Sequence, residues 1–481
     1  MPITPIRPWI NGRSAARRGR TVEPVTRPWD GRLLGHLEVA TATDLDAAVA
    51  GSRDAFQVMR ALPPHRRRDI LLATATLLHR DRVGLGRLMA DDAGKPITLA
   101  LGEVDRAIAT FTIAAEEIRH FAGEHPPAAI DVRGEGYVAL TERYPIGPIA
   151  AISPFNFPLN LLAHKVAPAI AVGSSVVLKP PPQAPLAAFR LAGLLTEAGL
   201  PPGALQVLHL PIPLAERLAT DPVFALLSFT GSPNVGWHLK SVAGRKRVVL
   251  ELGGNAAAVV HSDAQDLERI AARIAWGAFA YGGQVCIKVQ RLLIHQPIYA
   301  RFLRMVVAAT RTLAVGDPED PATVVGPLID DAAADRVQAW VREALKEGGR
   351  AVVRGRRRHR LLSPTILESV PGDSKVSCRE VFGPVLTVAP YASWDDAVRR
   401  VNDSEFGLQA GIFTQDSARV FEAFRRLDVG GVVVNDIPTL RLDHLPYGGV
   451  KSSGFGREGL REAMLEMTEP RLLLWKPGEV R

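Results

Sequence analysis

Residues 225–255, ALLSFTGSPNVGWHLKSVAGRKRVVLELGGN, decide the fold of this chain. Apolar runs at 225–229 and 248–252 predict two strands, and residues 229–236 (FTGSPNVG) predict the turn that opens a helix between them. A strand, a helix and a second strand in this order predict parallel strands joined by a right-handed crossover. The turn is either a plain connection or an anion site, because the free N–H groups of a helix start there.

The same alternation extends to both sides of this unit. We predict further strands at 147–152, 175–178, 204–208, 256–260, 291–294, 351–353, 386–388, 411–413 and 431–434. We predict helices at 45–62, 65–90, 98–121, 159–171, 185–198, 298–313, 332–347 and 417–426. This order predicts an α/β protein with a helical N-terminal third, a Rossmann-like half and a second α/β domain that begins near Glu251. Two apolar segments, 131–140 and 471–475, fit neither half and are expected to pair with each other or with another subunit.

The composition narrows the class of protein. A chain of 481 residues is too long for one simple core and predicts two or three domains. Its 47% hydrophobic and 22% charged residues are typical of a soluble globular protein. The net charge of +8 is compatible with an acidic partner, but the basic residues are spread along the chain. The densest run, 354–360 (RGRRRHR), has no interleaved aromatic residues, so we predict a solvated loop and no nucleic-acid partner.

Cysteine content, the first residues and histidine spacing bear on the compartment and on metal binding. The two cysteines cannot form a disulfide framework, which indicates a reducing compartment. The first residues, MPITP, begin no apolar stretch of signal-peptide length, and no apolar run approaches the ~18 residues that span a bilayer. The 12 histidines show no ligand spacing. We therefore predict a cytoplasmic protein with no membrane partner and no metal site.

Three polar residues in glycine- or proline-rich motifs carry the predicted chemistry. Cys286 ends residues 282–286 (GGQVC), Glu251 lies in residues 250–255 (LELGGN), and Asn156 lies in residues 153–158 (SPFNFP). A thiol, a carboxylate and an amide can supply a nucleophile, a base and an oxyanion donor for catalysis through a thioester. The structural alternatives are a buried thiol, an ion-paired carboxylate and a turn asparagine. Cys378 has no such motif and is predicted to be an ordinary cysteine.

Two further features concern phosphate binding. Residues 454–459 (GFGREG) match the dinucleotide pattern G-x-G-x-x-G, but a polar loop precedes them and the chain ends 22 residues later, so we predict no nucleotide site there. Lys179 follows the predicted strand 175–178, and ligand crevices of open α/β sheets lie at strand carboxyl ends. Lys179 therefore either holds a ribose or phosphate or is a surface lysine.

Taken together, the motifs resemble those of the aldehyde dehydrogenase superfamily over nearly the whole chain. The subgroup that contains lactaldehyde and phosphonoacetaldehyde dehydrogenases is the most similar. The stretches that carry the resemblance are 153–159 (SPFNFPL), 178–180 (LKP), 229–232 (FTGS), 250–254 (LELGG), 283–286 (GQVC), 380–384 (EVFGP) and 446–451 (PYGGVK).

The resemblance implies an architecture and a cofactor. It implies a cofactor-binding domain at 1–123 and 143–250, a catalytic domain at 251–458, and a bridging segment for a homodimer or homotetramer at 124–142 and 459–481. It implies that NAD or NADP binds, with Glu380 at a ribose and Phe382 near the nicotinamide. The full set of implied cofactor-binding residues is Ser153, Phe155, Lys179, Phe229, Gly231, Ser232, Val235, Leu252, Glu380 and Phe382.

The mechanism that the resemblance implies agrees with the chemistry of the three motif residues. The Cys286 thiolate attacks the aldehyde carbon, and the side-chain amide of Asn156 with the Cys286 backbone N–H holds the oxyanion. Hydride transfer leaves a thioester, which Glu251-activated water hydrolyses to the acid. Relatives that pass the acyl group to coenzyme A lack this glutamate, so its presence predicts hydrolysis.

Departures from the family pattern concern the cofactor and the substrate. Members specific for NAD often carry Glu three residues after the lysine, whereas this chain has Pro182, so we expect NADP to be accepted. Relatives that bind phosphate or phosphonate carry Arg before the nucleophile, whereas this chain has Val285, which disfavours a phosphorylated aldehyde. Phe157, Val285 and Ile287 predict apolar pocket walls. In residues 436–444 (DIPTLRLDH), Arg441 or His444 meets a substrate hydroxyl or carboxylate, or else pairs with Asp443.

The sequence therefore predicts an NAD(P)-dependent enzyme that oxidises a small aldehyde, lactaldehyde-like or a semialdehyde. The alternative from another class is a non-catalytic binding or structural protein on the same scaffold. Loss of Cys286 or Glu251 would favour that alternative, and both residues are present.

Overall fold

The computed structural model describes residues 5–17 and 19–478. Residues 1–4, 18 and 479–481, which belong to the predicted cofactor-binding and bridging segments, lie outside the described residues. The α-helices are Ala42–Ala61, Pro64–Arg80, Arg82–Asp92, Ile97–Glu117, Asn160–Val172, Leu186–Glu197, Ile212–Thr220, Pro233–Val242, Leu267–Phe279, Tyr299–Arg311, Asp331–Lys346, Lys375–Cys378, Trp394–Asn402, Ser417–Arg426 and Leu460–Glu466. Together with two large sheets, they confirm the α/β class.

The first large sheet contains the strand–helix–strand unit with which the sequence analysis began. Its strands in spatial order are Gly454–Phe455, Arg247–Glu251, Leu226–Thr230, Ile149–Ile152, Val176–Lys179, Leu205–Val207, Trp9–Ile10 and Arg13–Ser14. The five central strands are parallel, as predicted, and the strands at both edges are antiparallel. Parallel order places the carboxyl ends of the central strands along one edge of the sheet.

The second large sheet is built from the downstream half of the chain. Its strands in spatial order are Arg350–Val353, Thr365–Glu368, Val385–Tyr391, Arg291–His295, Ala257–Val260, Gln409–Phe413 and Gly431–Val434. All neighbours are parallel except the first pair. The strand Thr365–Glu368, which follows Pro364, was not predicted because its four residues carry too little periodic signal.

The N-terminal prediction was incomplete. Strands Pro5–Ile6, Val22–Thr26 and Leu33–Glu38 form a small sheet before the first helix, and Trp9–Ser14 adds a hairpin to the edge of the first large sheet. The predicted single helix 65–90 is wrong, because Asp81, with φ −97° and ψ 14°, leaves helical geometry and separates two helices. Aspartate favours such ends, because its side chain competes for local hydrogen bonds.

Part of the first leftover segment pairs with the tail: residues 138–140 of 131–140 do so, whereas Val132–Gly134 form a 3-10 turn. Val138–Pro145 and Thr468–Trp475 form an antiparallel ribbon from Val138 opposite Trp475 to Pro145 opposite Thr468. Leucine and tryptophan side chains on the tail strand are largely exposed: Leu472, Leu473, Leu474 and Trp475. The basic run 354–360 includes the strand Arg357–Arg358, which pairs with Leu361–Leu362, rather than being a loop throughout. In the ranges 5–17 and 19–478, no helix has the length and apolar character needed to cross a bilayer.

Candidate active site

The predicted ligand-binding residues lie at one edge of the first sheet. The strands Ile149–Ile152, Val176–Lys179 and Arg247–Glu251 all run toward this edge, where Ser153, Lys179 and Glu251 follow or end them. The Gly231 N–H donates to the Glu251 carbonyl (3.0 Å), and the Ser153 N–H donates to the Lys179 carbonyl (3.2 Å). The sheet topology therefore brings motifs that are far apart in sequence to one edge of the sheet. Ligands of open α/β sheets bind in a crevice at this edge.

Cys286 lies in the segment that leads from the turn at 280–283 to the strand Arg291–His295 of the second sheet. Three consecutive residues, Tyr281, Gly282 and Gly283, have φ values of 56°, 63° and 69°. A Cβ at Gly283 would lie 2.4 Å from the Gly383 carbonyl oxygen, so both the backbone angle and the space require glycine there. The glycine pair of the motif therefore sets the turn that presents Cys286.

Asn156 reaches the cysteine turn with its side chain. Its Nδ2–H donates to the carbonyl of Gln284 (3.0 Å), two residues before Cys286. Its own carbonyl accepts from Lys95 Nζ (2.9 Å), and Lys95 is paired with buried Glu103. The Asn156 main chain is thus held by a buried ion pair while its amide faces the turn of the nucleophile.

Glu251 reaches the same turn through the glycines that follow it. A Cβ at Gly254 would lie 2.2 Å from the carbonyl oxygen of Cys286, so the two loops touch where only glycine fits. Glu251 is 3% exposed, and neither carboxylate oxygen has a hydrogen-bond partner among the described residues. Asn156, Glu251 and Cys286 are therefore brought together, as the sequence motifs predicted.

The surroundings of Glu251 and Cys286 favour the neutral form of both side chains. Burial, and then the nearby charge of Glu458, raise the pKa of Glu251 well above its ordinary value. Burial raises the pKa of the Cys286 thiol to about 11, against a hydrogen bond with Tyr447 that lowers it. A nucleophile and a base with perturbed pKa values in one cleft are typical of a catalytic site.

The walls around the thiol are apolar, as predicted. Cys286 lies in a cluster with Val285, Ile287, Phe157 and Tyr447. Phe155, in the same cluster, meets Phe382 edge to face with ring centroids 5.8 Å apart. The thiol therefore lies among apolar side chains.

Comparisons with known proteins agree with this geometry. The aldehyde dehydrogenase family model matches residues 14–473. The chain belongs to this family. A 3-sulfolactaldehyde dehydrogenase from Priestia aryabhattai is 44% identical over 91% of both chains.

Two solved structures are similar over almost their full length. The structure of an aldehyde dehydrogenase from Physcomitrella patens in complex with the reaction product succinate has a TM-score of 0.97 at 38% identity, covering 99% of this chain and 100% of that one. An NADP-dependent glyceraldehyde-3-phosphate dehydrogenase from Bacillus halodurans, complexed with NADP, has a TM-score of 0.95 at 33% identity, covering 98% and 99%. The protein is an NAD(P)-dependent aldehyde dehydrogenase of the α/β fold.

The residues predicted to bind the cofactor of this aldehyde dehydrogenase fall into four groups. At the strand ends, burial lowers the pKa of Lys179, which Glu23 opposes, and the hydroxyl of Ser153 is buried without a partner among the described residues. Beneath the crevice, the Phe229 ring packs where a Cβ at Gly231 would lie, 2.6 Å away, and Leu252 is buried in the same core cluster.

Ser232 and Val235 form the third group, and Glu380 and Phe382 form the fourth. Ser232 and Val235 are exposed at the start of the helix Pro233–Val242, and Val235 is 47% exposed. Glu380 accepts a hydrogen bond from the Gly254 N–H (3.0 Å), and burial raises its pKa to about 7. Glu380 therefore contacts the loop that follows Glu251, and Phe382 contacts Phe155.

Arg441 of the aldehyde dehydrogenase is engaged with acidic side chains. Its Nη2 lies 3.0 Å from Glu458 Oε2, and its Nε lies 3.8 Å from Asp443 Oδ1. Of the two alternatives left by the sequence, the structure therefore shows the ion pair, which includes Glu458 as well as Asp443. His444 is exposed.

Sequence reasoning missed the buried network behind the site. Glu458 accepts from Lys165 Nζ (3.1 Å), and Asp443 binds Arg106 (2.7 Å) and His164 (2.8 Å). Glu458 lies inside the glycine pattern 454–459, whose first two residues form an edge strand of the first sheet. Tyr447 was present in the quoted stretch 446–451, where a phenol among glycines was the available signal.

No group of three or more His, Cys, Asp or Glu side chains in the described ranges is arranged to hold a metal ion.

Proposed function

We propose that the enzyme oxidises its aldehyde through a covalent intermediate on Cys286, with Asn156 holding the oxyanion and Glu251 activating water. The observation that carries this proposal is the position of Glu251. It is a buried carboxylate with no hydrogen-bond partner in the ranges 5–17 and 19–478, and the loop that follows it touches the carbonyl of Cys286. A buried carboxylate without a partner costs stability, so a role in the reaction accounts for its presence.

The chemical steps follow from these positions. The Cys286 thiolate adds through sulfur to the carbonyl carbon, and the carbonyl electron pair moves to oxygen, where the Asn156 amide and the Cys286 N–H donate hydrogen bonds. The C–H bond then breaks with its electron pair, C=O re-forms and a thioester remains. Glu251 takes a proton from water as that water attacks the thioester, the C–S bond breaks, and the carboxylic acid leaves.

The nicotinamide cofactor, when bound, accepts the hydride. Two features at the strand ends support a dinucleotide there: glycine at 231, where a Cβ would meet the Phe229 ring, and buried hydroxyls at Ser153 and Thr230 that have no hydrogen-bond partner among the described residues. Lys179 and Glu380 would hold ribose or phosphate groups, and Phe155 and Phe382 would pack near the ring. The other residues that we assign to this site are Phe229, Ser232, Val235 and Leu252.

The substrate is proposed to be a small aldehyde that is lactaldehyde-like or a semialdehyde. The apolar walls of Phe157, Val285 and Ile287 favour a short carbon chain. The names of the relatives point to substrates and products of the same size, sulfolactaldehyde and succinate. A panel of lactaldehyde, succinic semialdehyde and glyceraldehyde 3-phosphate, each assayed with NAD and NADP, tests this. Glyceraldehyde 3-phosphate as the best substrate would contradict the proposal.

Subunit contacts are proposed to use the ribbon Val138–Pro145 and Thr468–Trp475. Its exposed apolar side chains suit burial in a homodimer or homotetramer. Light scattering of the purified protein should give two or four subunits, and a monomer would contradict this assignment.

The deciding experiment compares Glu251→Gln with Cys286→Ser. With Glu251→Gln we expect one rapid equivalent of reduced nicotinamide per active site, followed by a steady rate ~10²–10⁴-fold lower, because the thioester forms but is not hydrolysed. With Cys286→Ser we expect no burst. Full turnover by Glu251→Gln would remove this residue from the mechanism.

Cys378→Ser is the matched control for the cysteine variant. Cys378 lies at the end of the helix Lys375–Cys378, and its thiol donates to the Asp373 carbonyl (3.2 Å). We expect it to retain full activity.

A further inference from the structure

Tyr447 is placed to act directly on the sulfur. Its hydroxyl oxygen lies 3.5 Å from Cys286 Sγ, and Tyr447 is 7% exposed. The ring belongs to the apolar cluster that surrounds the thiol. In a water-poor site, each hydrogen bond to a charged atom is worth more than in solvent, because the local dielectric constant is low.

Arg441 fixes this phenol from the other side. Its guanidinium carbon lies 3.8 Å from the centroid of the Tyr447 ring, which is within the range of a cation–π contact. The guanidinium is itself held by Glu458 (3.0 Å). A rigid chain therefore runs from Glu458 through Arg441 and Tyr447 to Cys286.

The donor in the hydrogen bond between Tyr447 and Cys286 is decided by which of the two groups keeps its proton. Burial raises the pKa of the Tyr447 phenol well above its ordinary value, so the hydroxyl keeps its proton. A thiolate has no proton to donate, so when Cys286 ionises, Tyr447 must be the donor. The same hydrogen bond and the positive charge of Arg441 are what oppose the effect of burial on the Cys286 pKa.

We propose that the Tyr447 hydroxyl donates a hydrogen bond to the Cys286 thiolate and that Arg441 is the positioning residue that orients Tyr447 for this. Tyr447 would then be a catalytic residue, since it touches the reacting sulfur. The inference rests on the proposed role of Cys286 as nucleophile. It adds a donor to the sulfur that is distinct from the Asn156 amide, which is assigned to the substrate oxygen.

The test is a direct titration of the sulfur in the full-length protein. Cysteine labelled with ¹³C at Cβ gives two signals, because the chain contains two cysteines, Cys286 and Cys378. In Tyr447→Phe, which keeps the ring and its stacking, we expect the Cys286 titration to move upward by about one pH unit, as befits loss of one hydrogen bond to a charged atom. The Cys378 signal should not move.

Tyr281→Phe is the matched control. Tyr281 is a buried phenol of the same apolar cluster, but its hydroxyl donates to the Ala93 carbonyl (3.0 Å) instead of to sulfur. It should leave the Cys286 titration in place. An unchanged Cys286 titration in Tyr447→Phe would overturn the proposal, and a downward shift would show that the thiol is the donor, which also overturns it.

A double-mutant cycle tests the role of Arg441. Arg441→Lys keeps a charge beside Glu458 but removes the flat group that stacks on the ring, so a smaller upward shift is expected. In the Tyr447→Phe background the same change should have no effect on the Cys286 titration. Equal shifts in both backgrounds would show that Arg441 acts without Tyr447.

The titration is independent of turnover. If Cys286→Ser retains dehydrogenase activity, the proposed function fails while the Tyr447 result can still be read. If Cys286→Ser is inactive and Tyr447→Phe leaves the titration unchanged, only the inference about Tyr447 fails.

Discussion

Two buried carboxylates near the site, Glu458 and Glu251, are treated in opposite ways by the fold. Glu458 is paired with Lys165 and Arg441, and its pKa is about 2, because these cations and a hydrogen bond outweigh the effect of burial. Glu251 has no hydrogen-bond partner among the described residues, and burial raises its pKa. Glu458 therefore stabilises the folded state in its charged form, whereas Glu251 keeps its capacity to take up and release a proton.

The largest expected effect comes from removing the paired carboxylate. Glu458→Gln would leave Lys165 and Arg441 as buried cations with one partner fewer, so the free energy of unfolding should fall by roughly 3–5 kcal/mol. Glu251→Gln, the matched change, should leave that free energy unchanged or raise it. Urea denaturation of both variants measures the difference, and equal losses would remove the distinction between the two carboxylates.

Asn156→Ala should have a large effect on catalysis and a small effect on the free energy of unfolding. Loss of an oxyanion donor should lower kcat/KM by ~10²–10³-fold, mainly through kcat. The Gln284 carbonyl loses its donor, so the free energy of unfolding should fall by only about 1 kcal/mol. Steady-state kinetics and urea denaturation check both parts. A change confined to KM would show that Asn156 binds substrate without stabilising the transition state.

The pH dependence of stability gives opposite signs for the two carboxylates. Folded Glu251 holds its proton after the unfolded form has lost it, so its contribution to stability falls as pH rises above about 4.5, by at most ~1.4 kcal/mol per pH unit. Folded Glu458 is charged before the unfolded form, so its contribution is present above about 4.5 and is lost as pH falls toward about 2.

Denaturation of the parent and the two glutamine variants at a series of pH values checks these signs. Relative to the parent, Glu251→Gln should gain stability as pH rises above about 4.5. The deficit of Glu458→Gln should shrink as pH falls below about 4.5. The same sign for both variants would contradict the assigned pKa directions.

The smallest expected effect concerns the cofactor edge, where Lys179 is a cation with a pKa lowered by burial. Pro182→Glu would place a carboxylate where a 2′-phosphate would bind, and should shift the ratio of catalytic efficiencies toward NAD by roughly tenfold, or ~1.4 kcal/mol. Pro182→Gln is the neutral control and should shift it less. A large NAD preference in the parent enzyme would contradict the expectation that NADP is accepted.

The candidate site could be predicted from sequence where each residue carries a local signal. Asn156, Glu251 and Cys286 each lie in a glycine- or proline-rich motif, and Asn156 and Glu251 also follow or end a strand of a parallel sheet, which is why their convergence could be expected. The paired network could not be predicted. Glu458 meets Lys165 across 293 positions of the chain, and neither residue has a local pattern that names the other.

The fold shows the same limit. The helices Tyr299–Arg311, Asp331–Lys346 and Ser417–Arg426 were predicted close to their observed bounds, because each repeats its pattern over many residues. The helices Leu267–Phe279 and Trp394–Asn402 were not predicted. The N-terminal strands Pro5–Ile6 and Trp9–Ile10 have two residues each and exist because other strands offer them a sheet edge. Whether such a short strand forms therefore depends on tertiary contacts, which a local sequence pattern does not contain. The tail and residues 131–140 were expected to pair with each other or with another subunit, because both had apolar side chains and no local partner. Val138–Leu140 pair with the tail, whereas Val132–Gly134 form a 3-10 turn outside the ribbon.

The contact between Gly254 and the carbonyl of Cys286 sets a rule for redesigning this enzyme. One added carbon at position 254 would force apart the loops that carry Glu251 and Cys286. Libraries that enlarge the substrate pocket should therefore vary Phe157 and Ile287 and keep 251–254 invariant. Directed evolution can vary the wall that contains Phe157 and Ile287, because the loop at Gly254 has no space for even one methyl group.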